Sequence, residues 1–339
     1  MDYLATDRAI ERRQNPLNIL PECKSILVLG LNYQPIQNFK SSSMDIRVAA
    51  YALGDDYHNV FESRLNELVR FIEAQLGSSF PHRIYSDTGP ILERELAQRA
   101  GLGWIGKNTC LINPKLGSYF VLGEILLGIE LDPDELFIMD HCGSCTRCIE
   151  SCPTDCILPN RTIESGRCIS YLTIEKRGDI PRELRNLIGA WVFGCDICQD
   201  VCPWNLRFAN PSMDDAFKPR EFLNHPSIDN FLDLTEASFK LQLHKSPLKR
   251  PKLPGLLRNA AVAAGNSNAP ELIPHIAKLL TDHPNPSVRS HSAWALDQFK
   301  NPENVKILRD ALESEDNDGT RSEIVSALKS LQDYLTSLG

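Results

Sequence analysis

The cysteine spacing constrains this chain more than any other feature. Cys142, Cys145, Cys148 and Cys152 read C-x2-C-x2-C-x3-C-P, Cys168 follows alone, and Cys195, Cys198 and Cys202 read C-x2-C-x3-C-P. Runs of that spacing, each closed by Cys-Pro, belong to a ferredoxin-like module carrying two [4Fe–4S] clusters. In such modules the fourth cysteine of a run crosses to the other cluster. One cluster is then expected on Cys142, Cys145, Cys148 and Cys202. The other takes Cys152, Cys195 and Cys198 and is one thiolate short. Cys168 fits that gap best, with Cys156, four residues after Cys152, as its competitor. Two C-x2-C pairs can also bind zinc, but four cysteines within eleven residues, each run ending in Cys-Pro, favour clusters. Cys23 and Cys110 carry no spacing signal and read as buried apolar thiols.

Such a module passes electrons one at a time, and the rest of the chain has to say where they go. At 339 residues the chain has room for two or three domains with ample core. No signal peptide opens it and the cysteine spacing is that of metal ligands, so a disulfide scaffold is excluded and a cytoplasmic protein is expected. The longest apolar stretch, Tyr119 to Leu131, is interrupted by Gly123, Glu124 and Glu130 and does not suit a bilayer. A net charge of -8 argues against a general nucleic-acid binder. Between Glu236 and Glu271, however, no acidic residue occurs, while Lys240, Lys245, Lys249, Arg250, Lys252 and Arg258 all do. A basic stripe on an acidic protein is a local binding face or a solvated loop.

The organisation is α+β and multidomain. Residues 1–137 alternate apolar runs with amphipathic stretches. Ser25 to Tyr33 reads as a buried strand, Phe61 to Leu76 as a helix with Leu65, Leu68, Val69, Ile72 and Leu76 on one face, Ile91 to Ala100 as a helix opened by Pro90 and closed by Gly101, and Tyr119 to Leu131 as a strand. That is an α/β layer domain. Residues 138–210 form the cluster module. Residues 211–339 begin with a proline-bearing linker and become helical. There Arg258, Arg289 and Arg321 recur at intervals of 31 and 32 residues, each followed six positions on by Ala264, Ala295 or Ala327. A period near 30 residues, with two short helices per unit, predicts HEAT-like α-solenoid repeats. Gly101, Gly103 and Gly106 spell G-x-G-x-x-G, but a helix rather than a strand precedes them, so Gly101 is better read as a helix C-cap than as part of a nucleotide fingerprint.

Several blocks carry a family resemblance: SDTGPILERELAQRAGLGWIGKN (Ser86 to Asn108), the cluster cysteines, CISYLTIE (Cys168 to Glu175), CDICQDVCPWN (Cys195 to Asn205) and LKRPKLPGLLRNAAVAAGN (Leu248 to Asn266). Together they resemble epoxyqueuosine reductase, in order and through all three regions. The resemblance implies a cobalamin-binding catalytic domain, the ferredoxin-like module and C-terminal HEAT-like repeats, with base-off cobalamin held against the clusters. It implies removal of the epoxide oxygen of epoxyqueuosine at the wobble position of tRNA to give queuosine. It also implies an external low-potential electron donor, a monomer, and an oxygen-sensitive enzyme. Family members usually carry a further N-terminal segment ahead of the block MDYLATDRAIERR, where this chain starts.

The resemblance places Asp87 at the family's proton-donor position, which a desolvated pocket beside the corrin would suit. On residue chemistry alone, an aspartate shortly before Pro90 is a helix-capping residue. Arg13, Tyr57, Lys107, Asn108 and Ser170 fall in the matching blocks as candidate cofactor contacts, with Lys107 and Asn108 otherwise plain turn residues. Lys176, Arg177, Lys249, Arg250 and Arg258 are candidate contacts to the anticodon stem-loop, where phosphates dominate affinity. A modified base at the wobble position would be splayed into the pocket. Arg289 and Arg321 can instead be internal to the repeats. Two other readings stay open: an iron–sulfur electron-transfer module docking a partner protein, and a cobalamin-dependent enzyme acting on small halogenated molecules. Neither the first without a corrin nor the second without an RNA uses the whole set of features.

Overall fold

The computed structural model describes residues 5–34 and 44–337; residues 1–4, the start of the N-terminal block, lie outside them. The chain divides into two compact units. The first comprises residues 1–36, 50–166 and 196–219, the second residues 37–49, 167–195 and 220–339. The strands in chain order are β1 (Ser25–Asn32), β2 (Arg47–Val48), β3 (His82–Tyr85), β4 (Trp104–Ile105), β5 (Leu111–Ile112), β6 (Phe120–Leu127) and β7 (Trp191–Phe193).

In the first unit a three-stranded antiparallel sheet runs β1-β6-β3, with Val28 opposite Glu124 on one side and Tyr85 opposite Glu124 on the other. The central strand is buried from Gly123 to Leu127, as a strand covered on both faces should be. Helix Tyr57–Leu76 covers one face: Phe61, Leu65 and Val69 pack with Phe80, Ile125 and Leu127. Gly123 belongs to that face, where a Cβ would come within 2.8 Å of the Phe61 ring. Helix Glu93–Arg99 covers the other face through Ala97, beside Val28 and Leu111. The strand and helix expectations hold in kind. Gly77 ends the longer helix in the left-handed conformation, and only Leu76 of the predicted face is exposed.

The helix expected over 91–100 spans Glu93–Arg99 instead. The chain from Ser86 to Leu92 is occupied by a turn with Asp87 at φ 56°, so helical geometry starts only after it. Gly101 (φ 78°) then closes the helix in a Schellman arrangement: its N–H donates to Gln98 O and that of Leu102 to Ala97 O. Gly103 serves the β4–β5 pair, where a Cβ would collide with Ile112 O at 2.0 Å. A Cβ on Gly106 would meet the Ile112 side chain at 2.6 Å, so all three glycines answer a local packing need.

In the second unit β2 and β7 form a short parallel ribbon, and Trp191, Val192 and Phe193 are all buried. Five helices follow at the C-terminal end: Lys252–Ser267, Ile273–Asp282, Pro286–Gln298, Asn304–Ser314 and Asp318–Ser337. The first, third and fifth pack in series and carry Ala264, Ala295 and Ala327, each fully buried. A Cβ on Gly265 would meet Ala295 Cα at 3.0 Å, so small residues set this close helix approach. The period also explains its arginines. Arg289 donates to His283 O and Pro284 O and pairs with Glu315, while Arg321 donates to Leu312 O and Glu315 O. Both tie their helix to the turn before it, internal to the repeats.

Candidate functional site

The cysteines first. All eleven are thiols, none joined in a disulfide. Cys142, Cys145, Cys148 and Cys202 lie within electrostatic reach of one another. Burial pushes the Cys148 thiol up, and the neighbouring Cys142, Cys202 and Cys145 add to it. Burial likewise raises Cys202, with Cys142 and Cys145 adding. This is the set expected for one cluster from the crossover rule. It lies against a wall of Trp104, Ile112, Phe137 and Trp204, and Trp104 Nε1 donates to Cys142 Sγ at 3.5 Å. Four soft thiolates beside apolar rings suit iron and sulfide, although no three cysteine, histidine or acidic side chains among the described residues stand close enough together to hold a metal ion. Cys152 Sγ lies 3.4 Å from the Sγ of Cys156, which is 2% exposed and draws Cys152 down to about 5. Cys168 sits at the N-cap of helix Ile169–Ile174, with Ser170 in that helix half-buried.

Lys107 and Asn108 brace these loops. Lys107 Nζ donates to Gly143 O at 2.7 Å and Cys145 O at 2.9 Å. Asn108 is buried, its amide donating to Cys198 O while Oδ1 accepts from Cys110 N. The turn between β4 and β5 therefore holds the cysteine loops, and the polar groups of the candidate cofactor contacts Lys107 and Asn108 are engaged there.

Asp87 is held from two sides. The Tyr57 hydroxyl donates to its Oδ2 at 2.7 Å, and its own N–H donates to Glu93 Oε1 at 2.6 Å. His58 Nε2 is 3.9 Å from the same Oδ2. Asp87 caps no helix, since the N-cap of the following helix is Leu92 and carries no side-chain cap bond. Its side chain is 66% exposed, so the carboxylate is presented outward rather than enclosed by protein. Tyr57 itself is buried, stacked on His58 with ring centroids 4.1 Å apart and edge-on to Tyr51 at 5.6 Å. Burial, then the charge of Asp87, pushes the Tyr57 phenol far above its ordinary range, so it stays a donor.

Two residues of this site carried no expectation. Glu93 is pushed up to about 7, first by burial and then by Asp87. Glu124, on β6, is fully buried, and neither carboxylate oxygen has a hydrogen-bond partner among the described residues. Burial first, then Glu93 and Asp87, pushes it up to about 9. The signal was available: one glutamate in the middle of an apolar strand.

The basic stripe separates into two parts. Lys240, Lys245, Lys249, Arg250 and Lys252 are exposed, as is Arg177, and Lys176 is half-buried. Arg250 pairs with Glu175 through Nε at 2.8 Å and Nη2 at 3.0 Å. Arg258 is 2% exposed, and its guanidinium donates to Lys176 O, Gly178 O and Leu172 O. It cannot reach a phosphate, and its expected RNA contact is withdrawn. Arg13 lies half-buried in helix Asp7–Gln14. No helix among the described residues is long and apolar enough to cross a membrane.

The cysteine set and the helical array together define a two-cluster iron–sulfur protein with a HEAT-like repeat region. Family models agree: a 4Fe-4S double cluster binding domain matches residues 141–205, HEAT repeats match 251–329, and a model described as epoxyqueuosine reductase QueG matches 13–88. The epoxyqueuosine reductase of Pseudomonas aeruginosa is 41% identical over 302 residues, covering 87% of this chain and 82% of that protein. That of Synechocystis is 42% identical over 250 residues, covering 74% and 86%. A crystal structure of epoxyqueuosine reductase with an epoxyqueuosine-modified tRNA-Tyr stem loop superposes with a TM-score of 0.90 at 30% identity, over 95% of this chain and 86% of that one. The Bacillus subtilis enzyme, captured with a catalytic loop swung out of the active site, gives 0.87 at 30% identity, over the same shares of the two chains. The chain belongs to the epoxyqueuosine reductase family.

Proposed function

We propose that this protein reduces epoxyqueuosine to queuosine at the wobble position of tRNA in the cytoplasm, with electrons passing through two [4Fe–4S] clusters from an external low-potential donor. The observation that carries the reading is the Asp87 turn, whose outward-facing carboxyl accepts from Tyr57 while its backbone N–H donates to Glu93, in a chain that also carries the cluster cysteines. Opening an epoxide leaves an alkoxide that needs a proton at once, and a rigidly held acid at the reacting face supplies it. Asp87 is that acid. Tyr57 orients its carboxyl.

The clusters fall to Cys142, Cys145, Cys148 and Cys202, and to Cys152, Cys168, Cys195 and Cys198. Base-off cobalamin fits the remaining need. The exposed Asp87 carboxyl stands beside the Tyr57 and His58 rings, with Tyr51 edge-on to Tyr57, and Arg13, Tyr57 and Ser170 are the candidate contacts. When bound, that group supplies a strongly reducing, nucleophilic metal centre. In this reading residues 1–137 hold the cobalamin, 138–210 carry the clusters, and 211–339 form the linker and repeats of a working monomer. Lys176, Arg177, Lys249 and Arg250 take phosphates of the anticodon stem-loop, which position the RNA without reading its sequence.

The test is anaerobic reconstitution with cobalamin and a strong reductant, followed by digestion of tRNA that contains epoxyqueuosine. Nucleoside mass spectrometry should show the loss of one oxygen. An unchanged nucleoside defeats the reading.

A further inference from the structure

Cys142, Cys145, Cys148 and Cys202, the cysteines expected to share one cluster, all belong to the first unit. Pro203 follows the last of them and sets the first turn of helix Pro203–Phe208, whose N-cap is Cys202 itself. Asn205 of that helix is buried, donating to Gln199 O and to the Ser118 hydroxyl. The opposite side of the turn meets solvent, with Leu206 69% exposed. Pro203, Trp204, Leu206, Arg207 and Phe208 line an open groove of about 610 Å³, together with Arg147 from between Cys145 and Cys148. Packed rings join the groove to the cysteines. Trp204 stacks on Phe208 at 5.2 Å between centroids and meets Trp104 edge-on at 4.9 Å. Trp104 Nε1 in turn donates to Cys142 Sγ.

The groove has the chemistry of a protein contact. Beside it, Ile138 and Met139 are 79% and 58% exposed, in the segment whose Phe137 and His141 pack on Trp104 and Trp204. Aliphatic side chains left in water around aromatic rings are what a protein partner covers, and RNA phosphates have no use for them. Arg147 and Arg207 are exposed, and neither pairs with a carboxylate among the described residues. The acids alongside are engaged: Asp140 pairs with Arg161, and Glu150 accepts from the Thr146 hydroxyl. Two uncompensated guanidinium groups select an acidic partner. A second copy of this chain, at a net charge of -8, is a poorer match in its aliphatic contacts than a small carrier and adds general repulsion.

We propose that this groove is the docking face for the external electron donor, a small acidic electron-carrier protein seated on Trp204 and Leu206 between Arg147 and Arg207. Each encounter passes one electron: the carrier is oxidised by one, the cluster is reduced by one, and no bond forms or breaks. Two encounters deliver the two electrons that, with two protons, convert an epoxide to an alkene and water. Encounters between electron-transfer proteins use small interfaces and take their rate from charge, as a short groove flanked by two cations provides. The electron step rests on the reading that these four cysteines hold a cluster supplied from outside.

The test uses the anaerobically purified protein with its clusters and, as probe, an acidic [2Fe–2S] ferredoxin. Oxidised ferredoxin should bind the wild type in a calorimetric titration. Reduced ferredoxin should reduce the cluster in stopped flow, at a rate that falls with salt. Arg207→Glu and Leu206→Asp should each lower affinity and rate at least about tenfold, while iron content and reduction by dithionite stay at wild-type values. Lys329→Glu, which reverses an exposed charge in the repeats, should change neither. Ferredoxin that fails to bind and reduce the wild type, or that treats both groove variants as wild type, overturns the proposal. So does an anticodon stem-loop that displaces ferredoxin and binds Arg207→Glu more weakly, which makes the groove an RNA surface. A dimer that Arg207→Glu dissociates makes it a self-contact and overturns the proposal too. Electrons that enter at the groove of a protein that leaves epoxyqueuosine unchanged overturn the functional reading and leave the docking face standing.

Discussion

The Tyr57 hydroxyl donates to Oδ2 of Asp87 at 2.7 Å, across thirty residues of chain. With the Asp87 N–H bound to Glu93 at 2.6 Å and its backbone at φ 56°, the residue is held through both backbone and side chain on a turn that an aspartate tolerates better than most residues.

Removing the phenol should therefore slow chemistry without weakening RNA binding. One hydrogen bond to a charged group is worth about 1.5–3 kcal/mol, so Tyr57→Phe should lower the single-turnover rate by roughly ten- to a hundredfold. Its affinity for tRNA should match the wild type in a filter-binding titration. Asp87→Asn should keep iron, sulfide and cobalamin and lose most turnover; full activity in that variant would remove the acid role.

The ligand choice between Cys168 and Cys156 is open to a count of iron. Cys168→Ser should reduce bound iron by about half, from two cubane clusters to one. Cys156→Ser should retain both, because its thiol, 3.4 Å from that of Cys152, is read as a neighbour of a ligand and not as a ligand. The opposite pair of results would transfer the role to Cys156. Cys202→Ser should also cost one cluster.

Arg258 and Lys249 belong to the same basic stripe and should behave differently. Lys249→Glu leaves the fold intact, weakens tRNA affinity for every sequence alike, and lowers the salt dependence of binding by about one charge. Arg258→Ala leaves Lys176 O, Gly178 O and Leu172 O without their donor. It should destabilise the protein by several kcal/mol, about 1–3 for each buried group left unpaired, seen in a denaturation midpoint. A folded Arg258→Ala protein of normal stability that loses only RNA affinity would restore Arg258 to the binding face.

That contrast shows what the linear sequence exposes. The two-cluster module was legible because thiolate spacing within a run is local. The solenoid was legible because a packing need repeats. The direction in which Arg258 points was not, since charge alone does not say whether a guanidinium meets solvent or backbone carbonyls. Its neighbours Leu256, Leu257, Ala260 and Ala261, all buried, were the available clue. The proposed role of Asp87 rests on the family resemblance alone. Tyr57 meets it from a helix thirty residues back, while Glu93 lies only six residues on. Glu124 went unread because in sequence it merely interrupts an apolar run.

The buried glutamate also makes a prediction about stability. Its carboxyl rises from an ordinary 4.5 to about 9 on folding, so between those values the folded state binds more protons than the unfolded state. Stability then falls as pH rises through this window, by up to about 1.4 kcal/mol per pH unit from this group. Glu124→Gln, which stays neutral, does not suffer that loss. Its melting temperature relative to wild type should climb steadily from pH 5 to pH 9 in anaerobic thermal scans, by several degrees in all. Glu93, raised to about 7, lowers the stability of both proteins over the lower half of the range and so drops out of the comparison. A constant difference between the two proteins across that range would mean that Glu124 titrates alike in the folded and unfolded chains, and the buried acid would be lost with it.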